Sequence, residues 1–484
     1  MCERALNARD ARFDGIFFVG ITTTRIYCRP VCPARVSCYD RRRFFDSAAS
    51  AERAGFRPCL RCRPELAPGR ALCDAVPRLA RAAAHRIAVG ALNGRAVGQL
   101  AGELGVSDRH LRRVLERELG VSPLELAQTH RLLLAKRLLA DTSLPVTRIA
   151  YASGFQSLRR FNSVFRERYR LSPGALRRGP RGASGSGSTA APVLDLIRLT
   201  LAYRPPYAWE SLIERLGRDA LPGVELVESG RYGRTVRLEG KTGVVFATAP
   251  AAKTHLDVDV SPSLLPVLMP LLARLRHLFD LDAEPTVVDA HLERAGLGEH
   301  VARRPGLRLP GAVDGFEAAF RAILGGRTGL AASDAGRRIV EALGERMDSG
   351  IPSLGLLAPD ATCVAGAGAV GLEALGVPRR SAEILAALAR TLAGGTVWLE
   401  PGSDVAAAHR SLRAIDGVGE RLATRIMMHA LHWPDAFDAS DRELQRAAGA
   451  AGAGALRARA ERWRPWRAYA ALHLREGGLE SGGV

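Results

Sequence analysis

Two close cysteine pairs, Cys28-Arg-Pro-Val-Cys32 and Pro58-Cys59-Leu60-Arg61-Cys62, constrain this chain more than any other stretch. Such pairs can bring four sulfurs to one tetrahedral Zn²⁺, because thiolates are soft anionic donors and each short loop holds its pair at a fixed bite. The second pair has the common C-x2-C spacing and the first the less usual C-x3-C. Disulfides are the alternative. No secretory or membrane-spanning stretch is legible, since Arg and Asp interrupt the N-terminal segment, so a cytoplasmic chain with reduced thiols is expected. Residues 1–75 hold few apolar residues (Phe13, Ile16, Phe17, Phe18, Val19) and need a metal to hold them together.

The residues around these cysteines go beyond what a structural site requires. Arg25, Arg29, Arg35, Arg61 and Arg63 crowd the ligands, and Thr22, Thr23 and Thr24 precede them. A cationic ring suits a site that brings a thiolate up to a phosphate. The whole chain shares the bias: 69 Lys and Arg stand against 50 Asp and Glu, a net charge of +19 over 484 residues. The only lysines are Lys136, Lys241 and Lys253. Such a balance selects polyanionic partners, and Arg in particular forks onto phosphate. The length implies several domains. Cys2, Cys73 and Cys363 lack paired spacing and read as core or surface residues; Cys38 is near enough to the motif to be a spare ligand.

Beyond Cys73 the pattern is helical. Val97-Gly-Gln-Leu-Ala-Gly-Glu-Leu-Gly105 leads through Ser107 into a second apolar-periodic run ending at Leu119. A small Ala101, a Gly105 able to take a left-handed turn, and a Ser-capped helix form a helix-turn-helix. Its exposed face is expected to carry Asp108, Arg109, Arg112 and Arg113. The pattern repeats in Val146–Gly154 and Ser157–Arg168, which includes Arg159 and Arg160, with a long helical run Leu124–Ala140 between. Gly179–Ala191 is a Gly/Ser-rich linker. Strands are expected at Leu194–Leu201, Thr235–Glu239, Gly243–Ala247 and His255–Val260, with a helix near Trp209–Leu216. After about Pro310 long Ala/Leu/Arg amphipathic helices follow. Among them Leu412–Gly419 reads as the turn of a helix-hairpin-helix, in which Gly417 and Gly419 let main-chain N–H groups approach a DNA phosphate.

Three resemblances narrow the reading. Thr-Thr-x-Ile-Tyr-Cys28-Arg-Pro-x-Cys32 and Ala54-Gly-Phe-Arg-Pro-Cys59-x-Arg-Cys62 resemble the N-terminal domain of the Ada family, methyl-phosphotriester repair proteins that regulate the adaptive response to alkylation. The resemblance covers 1–75 and implies that Cys28 is the methyl acceptor, with Thr24, Arg35 and Arg61 facing the phosphate. The tandem helix-turn-helix, with its closing Leu171-Ser-Pro-Gly-Ala-Leu-Arg-Arg, is similar to the AraC-type DNA-binding domain. It implies two helices in successive major grooves. The hairpin, the later Pro434-Asp-Ala-Phe-Asp-Ala-Ser-Asp441, and the runs Arg204–Trp209, Arg304–Gly311, Phe316–Gly325 and Glu461–Tyr469 resemble the AlkA family, 3-methyladenine DNA glycosylase II, over 193–476. That resemblance implies Asp441 as the catalytic carboxylate and a base flipped into a pocket. The chain departs from this family after the hairpin, where Arg421 and Arg425 replace aromatic residues, and after Ile-Leu-Gly, where Gly326 and Arg327 replace a Gln and an apolar wedge. Trp209 and Trp466 are then the expected stacking partners in the base pocket.

The expected protein is multidomain. A small α+β zinc domain (1–75) and an all-α tandem helix-turn-helix domain (76–178) precede the linker (179–192). An α+β antiparallel sheet subdomain (193–306) and an all-α helix-hairpin-helix glycosylase domain (307–484) follow. The expected functions are self-methylation of Cys28, promoter activation and hydrolytic excision of alkylated purines, with Zn²⁺ as cofactor. Double-stranded DNA and RNA polymerase are the expected partners, for a nucleoid-associated monomer away from membranes. No Pro-Cys-His-Arg run of an O6-methylguanine transferase occurs. The alternative is a DNA-binding regulator whose glycosylase half is degenerate, which Arg327, Arg421 and Arg425 favour.

Overall fold

The computed structural model describes residues 1–34, 39–68, 78–177, 195–325, 330–395 and 397–480. Arg35, Cys38, Cys73, Gly326, Arg327 and the 179–192 linker lie outside the described residues. The chain forms two compact units, Met1–Arg204 with Arg237–Ala273, and Pro205–Val236 with Arg274–Val484.

The first unit opens on a small sheet of order β3-β1-β2-β4, with β1 (Phe18–Ile21), β2 (Ile26–Cys28), β3 (Arg42–Phe45) and β4 (Arg57–Pro58). Strand alternation sorts its side chains. Val19 and Cys28 join Phe17 and the other three cysteines on one face, while Phe18, Tyr27, Phe45 and Phe56 pack on the other. Gly20 lies under those rings; a Cβ there would meet Phe45 and Phe56 at 2.7 Å. β2 and β4 run parallel, with Tyr27 opposite Pro58, so Cys28 and Cys59 leave the sheet side by side.

The helix-turn-helix units follow the sequence closely. Val97–Glu103 leads through Gly105 (φ +69°) into Asp108–Leu119, and Val146–Ala152 through Gly154 (φ +84°) into Leu158–Tyr169. Ser107 and Ser157 cap the second helices, each Oγ accepting a main-chain N–H at 3.3 Å. The connecting helix Pro123–Asp141 starts with a reciprocal capping box, Ser122 N to Glu125 Oε2 at 2.8 Å and Glu125 N to Ser122 Oγ at 3.3 Å. It is buried on several faces through Leu132, Ala135, Leu138 and Leu139, and even Lys136 is enclosed.

Five more strands follow: β5 (Ile197–Ala202), β6 (Glu225–Glu228), β7 (Arg231–Leu238), β8 (Lys241–Thr248) and β9 (His255–Val260). In the first unit β9 pairs antiparallel with β5 and β8, and its Leu256, Val258 and Val260 are all fully buried, as period-two alternation predicts. In the second unit the β6–β7 hairpin is antiparallel; β6 was not expected. That unit is otherwise helical. Phe316, Phe320 and Ile323 of the helix Gly315–Leu324 share a core with Ile384 and Leu388 of Arg379–Ala393 and with Ile426 and Met427 of Glu420–Leu431. A second core gathers Leu292, Val301, Leu309, Leu444, Trp463 and Trp466.

Candidate metal centre and carboxylate site

Cys28, Cys32, Cys59 and Cys62 are all buried, with one sulfur from each within 4.8 Å of the rest. Four thiols that close cannot all ionise without a cation to neutralise them, and four soft donors in one cluster fit tetrahedral Zn²⁺. The four cysteines form the zinc-binding site. Main-chain donors distinguish them. Arg29 N donates to Cys62 Sγ and Arg61 N to Cys59 Sγ, each at 3.3 Å. Among the described residues no main-chain N–H serves Cys28 Sγ. A thiolate that accepts no hydrogen bond keeps more of its nucleophilicity.

The cationic ring expected around these ligands is thinner than the sequence suggested. Arg29 is spent inside the fold, with Nε on Asp14 Oδ1 at 2.8 Å and Nη1 on the Cys62 carbonyl at 3.1 Å. Arg63 pairs with Glu65 and Asp141, and Arg25 lies 5.4 Å from the centre of the Phe56 ring. Arg61 is exposed, as is Thr24 on the β1–β2 turn. Beneath the site Lys136 Nζ donates to the Cys59 carbonyl at 3.0 Å and pairs with Glu65, both side chains no more than 2% exposed. Glu52 accepts from Tyr27 and from Thr129 of the long helix, each at 3.0 Å. Sequence reading missed the contacts of Lys136 and Thr129 because they span 71 to 77 residues.

On the helix-turn-helix units Arg109, Arg113, Arg159 and Arg160 are exposed, whereas Arg112 is tied to Asp108 at 2.8 Å.

In the second unit the helix Val405–Arg413 turns through Gly417 (φ +82°) into Glu420–Leu431, with Gly419 as N-cap. A side chain at Gly417 would be strained and would meet Ile384 at 2.7 Å. Gly419 N donates to Gly417 O at 3.1 Å, so the donors without an intrahelical acceptor belong to Glu420 and the two residues after it. Asp441 caps the helix Arg442–Ala447, its Oδ1 accepting from Glu443 N (2.9 Å) and Leu444 N (3.1 Å), and Arg475 Nη2 sits on Oδ2. Burial alone would raise the pKa of this carboxyl, but the Arg475 charge and the two N–H groups outweigh it and hold the group below the ordinary aspartate range.

Arg421 Nε reaches Asp438 at 3.0 Å, and Arg425, one turn on, donates to the Ala322 carbonyl at 3.3 Å. Trp466 packs in the same core cluster as Leu444, edge-on to Tyr469. Trp209 is a core residue instead of an open stacking face: its indole N–H donates to Gly230 O at 2.9 Å, and its ring packs against Tyr207 and Phe279. Arg475 escaped sequence reading; nothing in a lone Arg on a C-terminal helix marks a partner 34 residues away.

Three family models match separate stretches of the chain. The metal binding domain of Ada matches residues 1–65, a helix-turn-helix domain residues 100–179, and the AlkA N-terminal domain residues 198–314. The regulatory protein Ada of Salmonella typhimurium is 32% identical over 155 residues, 32% of this chain and 42% of that one. DNA-3-methyladenine glycosylase 2 of Escherichia coli is 35% identical over 276 residues, 57% of this chain and 95% of the relative. The probable bifunctional transcriptional activator/DNA repair enzyme AlkA of Mycobacterium tuberculosis is 37% identical over 449 residues, 92% of this chain and 89% of the relative. Matched along nearly its whole length, the chain belongs to this family of AlkA-type bifunctional transcriptional activator/DNA repair proteins.

Proposed function

We propose that this protein repairs alkylated DNA in two chemically separate ways and activates transcription in response. One observation carries the reading: a single chain holds both a buried four-sulfur cluster and, after a Gly417–Gly419 hairpin, an ionised aspartate at a helix start. We assign residues 1–75 to the methyl acceptor, 76–178 to promoter binding, 193–306 to the glycosylase sheet and 307–484 to its helical half.

In the first reaction Cys28 Sγ attacks the methyl carbon of a phosphotriester. The O–CH3 bond breaks, its electron pair stays on oxygen, and a phosphodiester anion leaves. In this reading Thr24, Arg35 and Arg61 hold that phosphate. Zinc bound by Cys28, Cys32, Cys59 and Cys62 would keep the sulfur a thiolate at neutral pH. Water does not hydrolyse the thioether product, so each chain reacts once.

In the second reaction the flipped nucleotide loses its base as the C1′–N bond breaks, the electron pair leaving with the base. Asp441 stabilises the oxocarbenium-like sugar while water adds to C1′ and its proton passes to solvent. An alkylated purine is already a good leaving group, so little acid catalysis is needed. A strand-nicking glycosylase needs an amine nucleophile. The three lysines all precede residue 254, and Arg421 just after the hairpin carries a guanidinium in place of an amine. The enzyme is therefore monofunctional.

The decisive experiment treats the zinc-loaded full chain with methylated DNA. One methyl should appear in the peptide Ile26–Arg35, on Cys28 and not Cys32 by fragmentation, with free alkylated base released and no complex trapped by borohydride. A methyl on Cys32 defeats the first assignment, and a borohydride-trapped complex defeats the second. Base release at the uncatalysed rate would instead support the second reading, a regulator with an inactive glycosylase half, which the arginines near Asp441 favour.

A further inference from the structure

Both oxygens of Asp441 are engaged, Oδ1 by the helix start and Oδ2 by Arg475. Arg475 is half-buried, yet its Nε is buried without an acceptor among the described residues. Asp438 lies in the same turn, Asp441 N reaching its carbonyl at 3.4 Å, and carries Arg421. Arg425 stands one helical turn from Arg421 on Glu420–Leu431, its guanidinium anchored to Ala322 O at 3.3 Å. Two carboxylates thus hold two guanidiniums, and the charge of Arg425 acts on the same groups.

We infer that Arg475, with Arg425 near it, is a specificity-determining residue at this carboxylate: it raises release of an uncharged lesion base carrying carbonyl acceptors relative to release of a cationic N-alkylated purine. The inference rests on the glycosylase reading of Asp441. A nucleotide that is to reach Oδ2 must displace Arg475, and the displaced guanidinium keeps its charge and its donors within side-chain reach. A cationic base then meets a like charge in a site that DNA has closed to water, where such charges interact strongly. A neutral base instead offers carbonyl oxygens to donors that have just lost Asp441.

The bond-breaking step points the same way. When C1′–N breaks in a neutral nucleoside, the departing pair puts negative charge on the base. A guanidinium counters that charge as it develops, before solvent protonates the base and water completes C1′. In a cationic nucleoside the same pair merely neutralises the base, so the guanidinium opposes binding and gives nothing back at the transition state.

Single-turnover release from the full chain at fixed salt tests this, with one duplex carrying hypoxanthine and one methylated duplex scored as 3-methyladenine. Arg475→Gln should raise the ratio of 3-methyladenine to hypoxanthine release about tenfold. Arg475→Lys should keep the wild-type ratio, and Arg425→Gln should shift it in the same direction by less. A ratio that does not move, or two rates that fall by one common factor, overturns the inference. Asp441→Asn is run in parallel; undiminished release of both bases from that variant would instead sink the glycosylase reading itself.

Discussion

Cys28 and Asp441 are the two reactive groups proposed here, and their surroundings are opposite. Main-chain N–H groups serve Cys59 and Cys62, and none serves the sulfur of Cys28 among the described residues. The carboxylate of Asp441 has every oxygen occupied. A nucleophile that forms a permanent bond gains from a lone pair left free, because it is used once and need not be restored. A carboxylate that acts only through its field must return to one position after each turnover, and two N–H groups and a guanidinium provide that position. Single use favours an undersatisfied atom, and repeated use favours a held one.

This contrast makes three measurable demands. Removing metal with a chelator should abolish methyl acceptance and melt the fold of residues 1–68, since structural Zn²⁺ contributes on the order of 10–16 kcal/mol. Base release by the same sample should persist, so loss of both activities together would erase the distinction. Asp441→Asn should cut base release about 10³-fold under single turnover. Asn caps helices as well as Asp does, so the protein should still bind DNA and still accept a methyl on Cys28. Methylating Cys28 changes four thiolates on Zn²⁺ from a net charge of about −2 to about −1. Promoter affinity at fixed salt should then rise about tenfold, and equal affinity of the two forms in a titration would rule that switch out.

Much of this was legible in the amino-acid order, for reasons that differ by element. Ser107, Gly105, Ser157 and Gly154 act within their own turns, so the helix-turn-helix boundaries could be read from them. The alternation of His255–Val260 likewise reports its own burial. Cys28 and Cys59 are written in local spacing, although their approach depends on the parallel pairing of β2 with β4. What escaped reading is contact over long separations: Lys136 under the cysteine loop, Arg475 on Asp441, and the Phe279 ring that packs on Trp209. Arg29 and Arg63 show the same limit from the other side. Their position beside the ligands suggested free charge, but Asp14, Glu65 and Asp141 had already claimed it.

The buried position of Lys136 gives the protein a built-in chemical reporter. Of its three lysines, Lys241 and Lys253 are exposed, while Lys136 is enclosed between the Cys59 carbonyl, Glu65 and the long helix. An amine-reactive label therefore finds two lysine side chains on the intact molecule and a third only after the cysteine loop has lifted from that helix. Counting labels by mass would follow the opening of this region, one amine at a time, without DNA or any engineered probe.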